Sequence, residues 1–120
     1  MVNRLEQLQR ISFHDAQLEE ASRCYLYGFH RASIVLSASA QEAHLKRVTG
    51  REDEYVGHTA DLIKEALRRE IIDNSLAEAA RSVFKKRNKV VHENHDPSHD
   101  EAKEILALAK GVVSALLFSN

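Results

Sequence analysis

A single proline, Pro97, and four glycines, at positions 28, 50, 57 and 111, are the strong chain breakers in 120 residues. Between them lie long alanine- and leucine-rich runs, which favour helix because such side chains lose little freedom there. Nowhere do apolar and polar residues alternate for more than a few positions, so no strand pattern competes. A hydrophobic fraction of 43% against 29% charged is ordinary for a globular chain, and the length suits one domain. The expectation is one all-α domain over residues 1–120.

Reading along the chain, Leu5, Leu8 and Ile11 mark a short lead-in within residues 1–14 that lies on the rest. Ser12 and Asp15, three apart, give a weak capping signal. Leu18, Ala21, Tyr25 and Phe29 form the stripe of a first helix ending near Gly28, where glycine accepts the left-handed conformation of a C-cap. A second helix runs from about Arg31 to Val48 and stops at Thr49-Gly50; its small residues let a neighbour approach closely. Its stripe Val35, Ala38, Leu45 passes through Glu42, an acid that needs a partner there. Residues 51–58 form a polar connection, and Thr59 caps a short helix with Leu62, Ile63, Ala66 and Leu67 on one face. Ser75 opens a helix over 75–92. Ser98 and Glu101 form a capping box that launches a last helix to about Phe118, with the stripe Ala102, Ile105, Leu106, Ala109, Val112, Val113, Leu116 and Leu117. The architecture expected is an up-and-down bundle of four main helices plus a short extra one.

Several function classes fall away. One cysteine, Cys24, excludes a disulfide scaffold and a thiolate zinc site, and is read as a core residue of a protein in a reducing compartment. The opening Met1-Val2-Asn3-Arg4-Leu5-Glu6 lacks a signal peptide's apolar stretch, and no segment is apolar for long enough to span a membrane. A cytoplasmic setting is expected. With 17 Lys and Arg against 18 Asp and Glu, the chain is no globally basic nucleic-acid coat, and a local patch would have to serve. His92, His95 and His99 with Asp96 and Asp100 match no zinc signature, so no metal and no other cofactor is expected. Tyr25, Tyr27 and Phe29 are read as packing residues.

The helix over 75–92 carries the chemical signal. Its apolar series Leu76, Ala80, Val83, Phe84, Val90, Val91 passes through position 87, which is arginine. A guanidinium on a face due for burial keeps its charge and must meet a carboxylate, an anion or a wet interface. His92 follows five residues later, a turn of about 140° around the helix, so the two side chains do not stack. They can converge if the helix loosens near its end, which Asn94 and Pro97 favour, or across an interface between two copies. Asn88 offers a donor and an acceptor beside Arg87.

Arg87-Asn88-Lys89-Val90-Val91-His92 resembles the motif of the HEPN domains (higher eukaryotes and prokaryotes nucleotide-binding): an arginine, usually a polar residue after it, and a histidine after four to six intervening positions. Ser37-Ala38-Ser39-Ala40-Gln41-Glu42-Ala43-His44-Leu45-Lys46 looks like that family's second helix, and the stretch from Leu62-Ile63-Lys64 to Ile71-Ile72-Asp73 is also similar. The likeness covers about residues 15–118. It implies a helical bundle, usually a homodimer, whose two motif helices build a shared, metal-independent ribonuclease site that leaves a 2′,3′-cyclic phosphate. Carried over, Arg87 and His92 are the catalytic pair, Asn88 their polar neighbour and Glu42 a supporting acid. A toxin branch has tyrosine two places after the histidine, where a partner enzyme modifies it; Asn94 stands there in this chain, so that mode of control is not supported. Many members have lost catalysis, and fold resemblance does not restore it.

The residue types suit such chemistry. Cleavage by the 2′-hydroxyl needs a proton removed there and one given to the leaving 5′-oxygen, and histidine serves either step. Arginine matches phosphate oxygens and steadies the charge of the transition state. Two-fold symmetry doubles both groups at one place. Arg81, Lys85 and Lys89 fall at i, i+4, i+8, with Lys86 beside them, and residues 81–89 contain no acid. Such a stripe suits single-stranded RNA, although cations near a helix C-terminus also complement its dipole. The competing readings are a structural ion pair of Arg87 with Glu42 and a dipole-favoured helix-end His92. At the level of function they become a non-catalytic HEPN module that binds RNA, nucleotide or a protein partner such as an antitoxin, and a plain helical dimerisation protein.

Overall fold

A computed structural model of the protein describes residues 15–51 and 58–117. They form five helices: α1 (Ala16–Leu26), α2 (His30–Val48), α3 (Thr59–Arg68), α4 (Asn74–His92) and α5 (His99–Leu117). No strand occurs among the described residues, and none of these helices is long and apolar enough to cross a membrane. The lead-in over 1–14 and most of the polar connection after Arg51 lie outside the described residues.

Local chemistry sets most boundaries. Asp15 caps α1, its Oδ1 accepting from the Leu18 N–H at 2.9 Å while Oδ2 stands 2.5 Å from Nε2 of His44. Gly28 and Gly50 end α1 and α2 with φ of 82° and 73°, the left-handed region that glycine enters without a Cβ clash. Before α4 the cap is Asp73, whose Oδ1 accepts from the Leu76 N–H at 2.8 Å, so the helix opens at Asn74 rather than Ser75. Ser98 and Glu101 make the reciprocal box: the Glu101 N–H donates to Ser98 Oγ and the Ser98 N–H to Glu101 Oε1, both at 3.1 Å. Thr59 does not cap α3. It is the first helical residue, and His58 holds the cap position without a side-chain bond.

The core runs between α2 and α5, each packed on α1 and α4, with α3 laid against α2 and α4. The α5 stripe is buried from Ala102 to Leu116 as its spacing demands. On α2 the buried residues are Ser33, Ile34, Ser37, Ala38, Ala40, Gln41 and Leu45, so the stripe passes through Gln41 and not Glu42. Glu42 sits half-buried beside it, 3.6 Å from Lys46 one turn on. Ser33 Oγ donates to the Ala21 carbonyl at 2.9 Å, and Gln41 Nε2 to that of Ala80 at 3.0 Å; these bonds fasten α2 to α1 and α4.

Candidate functional site

Around α4, the buried residues Ala77, Ala80, Val83, Phe84 and Val90 occupy one arc. At about 100° per residue Arg87 falls in the middle of that arc. It is half-buried: its Nε donates to Asn88 Oδ1 at 2.9 Å, and its guanidinium lies 5.7 Å from the centre of the Phe84 ring. Among the described residues no carboxylate pairs with it, since Glu42 is held by Lys46. The ion pair of Arg87 with Glu42 is therefore not formed.

Val91 was due for burial by spacing, yet it is 51% exposed. The apolar arc of α4 thus runs on past the elements that cover it. Arg31 reaches across from the start of α2, its Nη1 donating to the Val90 carbonyl at 2.6 Å. Val35, one turn beyond Arg31, is also exposed. The same end of the molecule carries Leu26, Tyr27 and Phe29, of which Tyr27 and Phe29 are 78% and 64% exposed. The packing role expected of these two aromatics is wrong: both stand in the turn after α1, outside any helix face. Tyr25 is partly buried, and its ring stacks on His99. Its hydroxyl is 2.8 Å from His99 Nε2, and His99 Nδ1 is 3.4 Å from His30 Nε2. Cys24 is only partly buried.

His92 is exposed and is the last residue of α4, which stays α-helical through it. Loosening of the helix does not bring Arg87 and His92 together, and within one subunit they diverge. His92 instead follows Asn88 by one turn, which by helical spacing puts it on the side of α4 that carries Arg81 and Lys85. A groove of about 380 Å³ opens on that side, and His92 lies just outside its lining. Arg81, Lys85 and Lys89 line it along α4, over a floor that includes Ile63 and Phe84. Asn88 also lines it, which makes one residue a contact of both the groove and Arg87. Thr59 and Ala60 also line it, as does Glu93, the one acid of the lining among the described residues.

Lys86 points elsewhere. Its Nζ is 2.6 Å from Glu101 Oε2, which His95 Nε2 shares at 2.8 Å. Hydrogen bonds from Lys86 first, then from His95 and the Ser98 N–H, hold the Glu101 carboxyl down at about 2, against an ordinary 4.5. A carboxylate with a depressed folded value stabilises the fold fully above its unfolded value, and loses that effect as the pH falls through the folded one. Urea unfolding of wild type should therefore lose stability between pH 4.5 and 2 more steeply than that of Glu101→Gln. Equal slopes would mean that the cluster contributes nothing.

No family model, curated protein or solved structure matches the chain. The site must be judged on its own geometry. Among the described residues no group of three or more His, Cys, Asp or Glu is placed to hold a metal ion. What the described residues offer is a half-buried cation with no acid paired to it, an exposed imidazole, and a cationic groove joined to the first by Asn88. Thr59, Ala60, Ile63 and Glu93 had no signal in the sequence, because their role depends on how α3 meets α4.

Proposed function

We propose that the protein is a metal-independent endoribonuclease of HEPN type, built as an up-and-down helical bundle and acting as a homodimer on RNA. The observation that carries this reading is Arg87, which no carboxylate among the described residues neutralises. This arginine stands half-buried in the middle of an apolar arc, with an amide and an aromatic ring for company, and leaves most of its fork open to an anion. A phosphodiester is such an anion, and the bidentate fork fits it. The uncovered apolar strip beside it, Val91 with Val35 nearby, is what a second copy would cover, placing two Arg87 and two His92 side chains around one two-fold axis. His92 would move the proton between the 2′-hydroxyl and the leaving oxygen. Asn88 fixes the guanidinium, while Glu42, tied to Lys46, is left a supporting charge rather than a partner of Arg87.

Incubation of the purified protein with end-labelled single-stranded RNA in excess EDTA tests the proposal. Fragments ending in a 2′,3′-cyclic phosphate are expected. Intact RNA at micromolar protein would overturn the enzymatic reading and leave the non-catalytic binding module. Absence of RNA binding as well, in wild type as in Arg87→Ala and His92→Ala, would leave a plain dimerisation protein.

A further inference from the structure

We infer that the groove between α3 and α4 is a track for single-stranded RNA, gripping about three consecutive phosphates and leading the strand to His92 of the same subunit. This rests on the RNA reading but not on catalysis. Arg81, Lys85 and Lys89 stand one turn apart on one side of α4. Each step advances about 6 Å along the helix, close to the reach of one nucleotide in an extended strand. The three cations therefore match successive phosphates of one chain. A duplex keeps its bases paired and stacked, so it cannot lay them on an apolar floor as a single strand can.

The remaining lining fits the same ligand. Ile63 and Phe84 give the floor an apolar character beneath the cations, which suits bases and sugars. An arginine N–H can only donate, so Asn88 must turn its oxygen to Arg87, and its NH₂ is left to face an acceptor on the strand. Asn88 thereby ties occupancy of the groove to the position of the motif arginine. Glu93, at the end nearest His92, disfavours a further phosphate. The strand must leave α4 there, at the residue that would move the proton. Lys86 takes no part, being held on the other side by Glu101.

The test is fluorescence anisotropy with a labelled, fully 2′-O-methylated oligouridine, which cannot be cleaved through its sugar. Three phosphate contacts predict a slope of log K against log salt of about −2, since each contact on a single strand contributes about −0.7. Arg81→Ala, Lys85→Ala and Lys89→Ala should each flatten the slope by about 0.7 and weaken binding regardless of base sequence. Lys103→Ala, an exposed cation on α5, should leave the slope unchanged, and a duplex of equal length should compete poorly. An unchanged slope in the three groove variants, or equal competition by duplex, overturns the track. So does binding of an acidic peptide in place of RNA with the same dependence on Lys85. Cleavage in EDTA with unaltered slopes would sink the track and spare the nuclease; flattened slopes without cleavage would do the reverse.

Discussion

Arg87→Ala is expected to lower EDTA-resistant RNA cleavage by about 10²–10³-fold, the usual loss when one preorganised charge-stabilising donor is removed. Among the described residues Arg87 makes one hydrogen bond, to Asn88, and one contact with the Phe84 ring, and no ion pair. Its removal should cost the fold only about 1 kcal/mol, the scale of one cation–π contact and one exposed hydrogen bond. Urea unfolding near wild type would accompany a collapse in rate. Arg87→Lys should recover little, because an ammonium lacks the planar fork that takes two phosphate oxygens at once. His92→Ala should lose about 10²–10⁴-fold with unchanged stability, because its side chain is exposed.

The divergence of the two side chains adds a sharper arm. Within one α4 they point about 140° apart, so a site that uses both must draw them from different copies. Mixing inactive Arg87→Ala with inactive His92→Ala should then restore cleavage, because a mixed dimer keeps one intact arginine and one intact histidine on opposite chains. No recovery on mixing, with dimer exchange verified, would place the chemistry within a single subunit. Wild-type rates in Arg87→Ala would remove the guanidinium from the mechanism altogether.

How far such features can be read from the sequence depends on what sets them. The Ser98–Glu101 box and the α5 stripe were legible because they depend on residues within one or two turns. The face of α2 was not. Its run of alanine and serine carries little hydrophobic contrast, so a stripe through Glu42 read as well as the true one through Gln41. Ser33 and Gln41 are buried because their side chains bond the backbone of α1 and α4, and Ser37 lies buried between them, which no periodicity announces. On α4 the odd position of Arg87 was visible from spacing alone. The fate of its neighbours was not: Lys86 faces α5 and Lys85 faces α3, one residue apart, and which cation pairs is settled by where Glu101 lies. Tyr27 and Phe29 are exposed for a related reason, since the stripe of α1 ends with the helix at Leu26.

Gln41 supplies the other large effect, on stability. It is fully buried, and its Nε2 donates to the Ala80 carbonyl at 3.0 Å, while Oε1 finds no partner among the described residues. Gln41→Ala should destabilise the protein by about 2–4 kcal/mol, through the cavity left between α2 and α4 and the lost bond. Gln41→Met keeps the volume and removes an unpaired acceptor, so it should stay within about 1.5 kcal/mol of wild type. The Ala80 carbonyl does not then go unpaired, because α4 continues past Phe84, whose N–H supplies its helical partner. Urea unfolding of both variants checks the asymmetry. If methionine costs as much as alanine, the amide oxygen is satisfied by a buried water, and the polar strip from Ser33 to Gln41 specifies the packing of the motif helix rather than being tolerated by it. If it costs little, the position of α4, and with it Arg87, is set by shape alone.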